Sequence, residues 1–308
     1  MPHTSNNRAN RHTERTGHTR HTRERLAAAA MLAPSAIGVV AFMLAPLLAV
    51  AALSFTNWNL LTPPTWAGLA NYASLASAGF GRSLLVTLAF SAIAIPLAIA
   101  AGLGIALLLK RGLPGSRLLQ LFYVLPWIAA PLALGVVWQW VLAPSGLLNQ
   151  ATGASYPWLA SEWTALPVIA FVYVWQNVGY ISLFFLAALR AVPRSVLEAA
   201  ALDGAGPIRT FFSITLPLIR PTMFFVSVTS LIASLQVFDL VYGLTGGHPG
   251  YPGGTTDVVT ARIYSEAFVG LNIGRASAMA VVLTLLIVLV TAAQQRYFRS
   301  RLTYELEV

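Results

Sequence analysis

The chain has no cysteine, which removes disulfides, thiolate metal sites and cysteine nucleophiles from consideration. It has one lysine, Lys110, and the residue before it is Leu109 rather than the glycine of a GxxxxGK phosphate loop. ATP hydrolysis by the usual P-loop route is therefore closed to it. Neither an HExxH metal pair nor a GxSxG nucleophile elbow occurs. Four of the five histidines (His3, His12, His18 and His21) crowd into the first 25 residues, too loosely spaced for a metal site. Charge is also scarce. Only 9% of the 308 residues are Asp, Glu, Lys or Arg, against about a quarter in a soluble domain. No acid–base or metal constellation is left for an enzyme to use. The expectation is a non-enzyme that binds no cofactor itself.

What is present in excess is apolar length. Hydrophobic residues make up 57% of the chain, and several runs exceed the ~20 residues that cross a bilayer as a helix. Six spans are predicted, at about 29–53, 84–109, 118–142, 165–189, 221–243 and 273–294. The fold class is an all-α polytopic membrane protein. The run from Arg25 to about Phe55 is longer than the ~7–15-residue core of a cleavable signal peptide, so it is read as a retained first span. Residues 1–25 hold six arginines and little apolar surface to offset ordering entropy, which predicts a disordered tail.

The net charge of +9 fits membrane topology better than nucleic acid, because the cations are dispersed between spans. With the N-terminus inside, 16 of the 19 cations fall on one side. They lie in the tail, in the loop of Lys110, Arg111 and Arg117, in residues 190–221, and after residue 295. Only Arg82, Arg262 and Arg275 fall opposite. Excess positive charge marks the cytoplasmic side, so both termini and the 190–221 loop are placed there. Four parts follow: a tail at 1–25, the first span with its outer loop at 26–83, a transmembrane domain at 84–295, and a second tail at 296–308.

The outer connections carry Trp58, Trp66, Tyr156, Trp158 and Trp163, as an aromatic belt at the headgroups would. The run GGHPGYPGG, residues 246–254, is too rich in Gly and Pro for regular structure, and is either a linker or a partner surface. Within the spans, Ala94, Ala98, Gly102 and Ala106 recur every four residues, as do Ala276 and Ala280, which lets helices approach closely. Pro96, Pro126 and Pro131 are expected to bend their helices.

An ionisable group within a span is costly and usually faces a cavity or a partner. Asp239 is such a group. Gln236, Asp239 and Tyr242 follow at three-residue steps, predicting one polar stripe on span five. Tyr173, Gln176, Asn177 and Tyr180 make a second stripe on span four, and Trp138, Gln139 and Trp140 a third on span three. Planar polar groups suit sugar hydroxyls, and aromatic faces suit their C–H surfaces. The plainer alternative is that Asp239 caps an interface or touches water near the end of its span.

The stretch from 190 to 221, RAVPRSVLEAAALDGAGPIRTFFSITLPLIRP, is charged and punctuated between two apolar runs. It reads as two short helices meeting at a turn. Pro193 favours the start of the first and Asp203-Gly204 its end; Gly206-Pro207 starts the second and Pro217 stops it. From spacing alone, an ordinary loop on the membrane surface is as good a description. The residues Glu198, Ala199, Ala200, Gly204, Ile214, Leu216 and Pro217 nevertheless complete the pattern EAA-x3-G-x9-I-x-LP. In this the chain resembles the permease subunits of bacterial binding-protein-dependent ABC importers. SFTNWNLL (54–61), GLANY (68–72), ITLPLIRPT (214–222) and VFDLVYGLTGG (237–247) are similar to the branch that takes up maltose and other sugars. The resemblance spans about residues 30–300.

The resemblance implies a multi-pass protein of the bacterial cell membrane whose cytoplasmic loop is a coupling helix. Glu198 would make the ionic contact with a separate ATPase, within a surface that includes Asp203. The implied partners are a dimer of ATP-binding subunits that use ATP and Mg, a second permease, an extracytoplasmic solute-binding protein and membrane lipid, with no nucleic acid. A glycerol-phosphate importer stays open beside a sugar importer, although the spans place no cation in mid-membrane. A stand-alone secondary transporter is the rival from another class; against it, no internal repeat stands out and only one acid lies within a span.

Overall fold

The computed structural model describes residues 29–112 and 114–302. The histidines and arginines of the first 25 residues lie outside these. The chain divides into two units, residues 1–53 and 54–308. The first contributes one helix, α1 (Ala29–Leu53), long and apolar enough to cross a membrane. Its turn Val40–Leu44 has π geometry, with the Ala45 N–H bonded to the Val40 carbonyl. The cause is Pro46, which has no N–H to give and whose ring would strike the carbonyl four residues back. Widening the preceding turn makes room.

The second unit opens with a two-residue antiparallel pair, β1 (Thr56–Asn57) and β2 (Thr65–Trp66), with Thr56 opposite Trp66. The predicted all-α fold holds for everything that follows. After the short α2 (Ala70–Ala73) come α3 (Phe80–Lys110), α4 (Ser116–Ile128), α5 (Pro131–Val141), α6 (Leu147–Thr152), α7 (Ala165–Ala191) and α8 (Arg194–Leu202). The remainder is α9 (Pro207–Leu218), then α10 (Arg220–Leu235), α11 (Asp239–Leu244), α12 (Val259–Tyr264) and α13 (Ile273–Leu302).

Helices α3 and α7 form the spine. The predicted small-residue stripe is the contact: Ala94, Ala98, Gly102 and Ala106 are all buried. A Cβ at Gly102 would lie 2.5 Å from Cγ2 of Ile181, so only hydrogen fits there. Two apolar clusters flank this seam. One joins Phe90, Ile169, Val172, Leu240, Val241 and Leu244. The other joins Ala106, Phe185, Leu189, Ile219 and Val226.

Two of the six predicted spans are not single rods. Span three is α4 and α5, bent by 100°. Ala129 and Ala130 between them are extended, and Ala130 precedes Pro131, whose ring disfavours helical backbone there. Pro126 sits inside α4 and Pro96 inside a continuous α3. Span five stops at Leu235, and Gln236–Phe238 separate it from α11. Gln236, Asp239 and Tyr242 therefore do not share one helical stripe. Irregular backbone in a bilayer must find partners or a cavity. One freed carbonyl, that of Val237, accepts the Thr260 hydroxyl.

The three cations predicted to fall opposite the rest are each engaged. Arg275 donates to a Glu266 carboxylate oxygen at 2.9 Å. Arg262 pairs with Asp257, and Asp257, only 6% exposed, also accepts the Ser83 hydroxyl at 2.8 Å. Arg82 donates to the Gly253 carbonyl. The Gly/Pro run is thus pinned rather than loose; Thr256 accepts from the Gly250 N–H at 3.0 Å and donates to the Tyr251 carbonyl at 2.7 Å. Replacing Arg262 by Met leaves a buried carboxylate without its cation, at a cost of about 3 kcal/mol. The expected result is a thermal midpoint in detergent several degrees lower, with partial recovery in the Asp257→Asn/Arg262→Met pair. A pair as damaged as the sum of its members contradicts the assignment.

Candidate functional site

The two interruptions face each other across α7. Trp127 at the end of α4 and Pro131 at the start of α5 form one wall. Tyr173, Gln176 and Asn177 of α7 form the floor, and Ala233 through Leu240 around the second break close the other side. The cavity they line is open to the outside and about 220 Å³ in volume.

Glycines hold these parts together. Gly135 of α5 meets α11 backbone to backbone: a Cβ there would lie 2.8 Å from the Leu240 carbonyl and 2.9 Å from the Gly243 Cα. A Cβ at Gly243 would meet the Leu132 carbonyl at 2.6 Å. At Gly179 of α7 it would sit 1.8 Å from the Tyr123 carbonyl of α4. So α4, α5, α7 and α11 approach as closely as backbone permits, and the cavity lies where the two breaks prevent that approach.

The polar groups are few and specific. Gln176 is buried, at 5% exposure. The Asn177 amide donates to the Tyr173 carbonyl at 2.9 Å, which fixes its plane. Asp239 opens α11 and is exposed, and Gln236 beside it is exposed too. A carboxylate at a helix start also sits favourably against the helix dipole. Gln176, Asn177, Gln236 and Asp239, taken from two predicted stripes, thus meet in one place. Tyr180 lies just beyond, stacked on Trp127 with centroids 4.4 Å apart.

Two predicted residues are elsewhere. Tyr242 turns into a ring cluster with Phe238 and Tyr264, at 5.3 and 5.5 Å. Trp138 packs edge-on against Phe171 and Trp175, at 6.3 and 5.2 Å. The sequence reading missed Trp127, whose only signal was its place next to Pro126. It also missed Asn149, a buried amide that ties Tyr156 and Trp158 together in the 143–164 connection.

The second candidate element is the 190–221 elbow. Pro193 is extended and caps α8 rather than entering it. Asp203 ends α8 and Gly204 takes φ +74°, a left-handed value that suits glycine. Glu198, Ala199 and Asp203 are exposed, whereas Ala200 is buried. Leu202, next to Asp203, is 90% exposed, and Ile208 and Phe212 of α9 are also exposed. In α9 the turn Phe211–Thr215 is π, with the Leu216 N–H bonded to the Phe211 carbonyl. Pro217 follows at the same offset as Pro46 in α1, and the same steric reason applies. Ile214, Leu216 and Pro217 are half-buried on the inner side of this turn. Pro217 does not stop the helix; the break comes at Ile219, where α9 and α10 bend by 68°. Ile219 itself is buried in the cluster of Phe185 and Leu189, so the joint is anchored to α3 and α7.

Residues 94–304 match the family described as "Binding-protein-dependent transport system inner membrane component". The chain is 35% identical over 244 residues to the "sn-glycerol-3-phosphate transport system permease protein UgpA" of Yersinia pestis, covering 77% of this chain and 82% of that protein. The protein of the same name from Salmonella choleraesuis is also 35% identical over 244 residues, with the same coverage. Among solved structures, a bacterial ABC transporter for the import of the acidic polysaccharide alginate superposes with a TM-score of 0.76 at 22% identity, over 92% of this chain and 98% of that one. The MetNI methionine transporter superposes with a TM-score of 0.52 at 19% identity, over 72% and 95%. Such permeases span the inner membrane several times and work with a solute-binding protein and ATPase subunits. They carry no cofactor of their own. The chain belongs to the binding-protein-dependent transport system inner membrane components, the permease subunits of ABC importers, and is a transport protein rather than an enzyme.

Proposed function

We propose that this permease serves an importer of neutral sugars, and that the cavity between the two breaks is its half of the transport path. One observation carries this: two interrupted spans open on the same four polar side chains, Gln176, Asn177, Gln236 and Asp239. Amides and a carboxylate are matched to hydroxyls, and Trp127 and Tyr173 supply faces for C–H surfaces. At about 220 Å³ the cavity is smaller than the roughly 300–1,000 Å³ of a complete small-molecule site. A second permease would supply the opposite wall.

A single helix joins the cavity to the elbow. Helix α10 begins at the Ile219 joint and ends at the break beside Gln236, about 24 Å away. In this scheme both termini are cytoplasmic, and the elbow of Glu198, Ala199, Ala200, Asp203, Gly204, Ile214, Leu216 and Pro217 docks on one of two ATPase subunits. Their closure on ATP and Mg moves the elbow, and α10 transmits the movement to the cavity. The solute-binding protein approaches the opposite face, where the pinned 246–254 loop lies. The domain limits above follow, with the transport domain at 84–295 and a tail at each end.

A second substrate is favoured by a specific observation, since the relatives named above are glycerol-3-phosphate permeases. No Lys or Arg lines the cavity, however, and a phosphate beside the Asp239 carboxylate would be repelled. That substrate would need its cations from the second permease. Asp239→Asn is expected to lower sugar uptake by roughly tenfold, as loss of a charged hydrogen bond does, with the permease still present in the membrane. Wild-type sugar uptake by this variant, or a wild type that takes up glycerol 3-phosphate in preference to sugar, would overturn the neutral-sugar assignment.

A further inference from the structure

A site that captures a sugar must also release it, and α7 leads from the cavity toward the elbow. A continuous series of rings follows that direction. Trp127, on the cavity wall, stacks on Tyr180 with planes 10° from parallel. Tyr180 meets the edge of Phe184 at 4.9 Å, and Phe184 meets Phe225 of α10 at 5.1 Å. From Gln176 to Phe184 the advance along α7 is about 12 Å.

These rings edge the core rather than fill it, with Tyr180 and Phe184 packed against the rim of the second apolar cluster. The next residue, Phe185, is fully buried against α3, as is Leu189 one turn on. The series lies on another face: Trp127 and Phe225 at its two ends are 44% and 45% exposed, and Tyr180 and Phe184 between them are half-buried. The Thr229 hydroxyl near Phe225 already donates to the Phe225 carbonyl at 2.9 Å.

We propose that Tyr180, Phe184 and Phe225 form a second subsite for the ring face of a cyclic sugar, on the way from the cavity to the cytoplasm. This rests on the neutral-sugar importer proposed above. A pyranose has a C–H face apolar enough to lie on an aromatic ring while its hydroxyls stay in water. The cavity binds through amides and a carboxylate. The rings bind through faces alone, weakly enough to let go, as any conducting path requires. Glycerol 3-phosphate is acyclic and anionic and has no such face, so the rings select among substrates by their rate of exit.

The test uses the whole importer in inside-out and right-side-out membrane vesicles, with its binding protein, and labelled glucose, maltose and glycerol 3-phosphate as probes. Phe184→Leu and Phe225→Leu keep apolar volume and remove the ring. Maximal sugar uptake should fall roughly threefold for each and about tenfold for the pair. Half-saturation should be unchanged, and Tyr at either position should restore the rate. Since Phe225 is nearly half exposed, Phe225→Leu alone carries the test if the pair fails to insert. Wild-type maximal uptake in the Leu variants overturns the subsite and leaves the importer assignment standing. A wild-type protein that transports glycerol 3-phosphate and neither sugar overturns both.

Discussion

Glu198→Ala is expected to reduce ATP-driven uptake about 30-fold or more, with normal amounts of permease in the membrane. Glu198 is exposed on α8, and among the described residues it has no salt-bridge partner. An exposed side chain with no such partner among the described residues can be removed with the fold left intact. Against an ATPase the situation reverses. The acid stands one helical turn from the exposed Leu202 on α8, and exposed apolar surface of this kind excludes water when covered. Truncating one partner of a desolvated charge pair costs about 2–5 kcal/mol, which is the stated loss or more. The check is uptake together with solute-stimulated ATP hydrolysis in the assembled importer. Unimpaired coupling in Glu198→Ala would mean that the elbow transmits force by apolar contacts alone.

Gly179→Leu should prevent accumulation of the folded permease altogether. The added Cβ would lie 1.8 Å from the Tyr123 carbonyl oxygen and 2.3 Å from its carbon. Both are backbone atoms, so no rotamer change relieves the overlap, and α4 must leave α7. One extra methylene in a packed interior already costs about 1–3 kcal/mol; here a whole helix contact is lost, and with it the Trp127 wall of the cavity. Gly104→Leu is the control. It lies within α3 with nothing inside 4 Å of its Cβ position, and exchange of a helical glycine is neutral or stabilising by up to about 1 kcal/mol. Membrane abundance and a monodisperse peak in mild detergent read both outcomes. Equal abundance of the two variants would show that the close α4–α7 contact is dispensable.

Much of this was legible in the sequence because it depends on short-range chemistry. Apolar length located the helices, and four-residue recurrence of small residues located the α3–α7 seam, since both follow from helix geometry. The elbow was readable for the same reason: Gly204 marks its turn and Pro207 the start of α9. The breaks were less so. Pro131 announced one, but nothing in Leu235–Asp239 announces the other, because its cause is tertiary: Val237 and Leu240 are drawn into the cluster around Ile169, and Thr260 from a distant segment satisfies the carbonyl. The break therefore parts Gln236 from the helix that carries Asp239 and Tyr242, and Tyr242 packs against Phe238 and Tyr264. Trp138 packs against Phe171 and Trp175 for a similar reason. The 100° bend after Ile128 swings α5 away from the axis that a straight span would follow. Asp257, in the connection before α12, and Arg262, within α12, lie five residues apart and gave no sign of their pairing.

The central claim is that the 190–221 elbow meets an ATPase on the cytoplasmic side, and the absence of native cysteine allows a direct measurement. Leu202→Cys places a single thiol on the elbow at 90% exposure, and Trp163→Cys places one in the opposite connection, at 88% exposure. A membrane-impermeant maleimide should label Leu202→Cys in inside-out vesicles stripped of ATPase, lose that labelling when the ATPase is restored, and label only Trp163→Cys in spheroplasts. Labelling of Leu202→Cys in intact spheroplasts would place the elbow beyond the reach of any cytoplasmic motor and contradict the account.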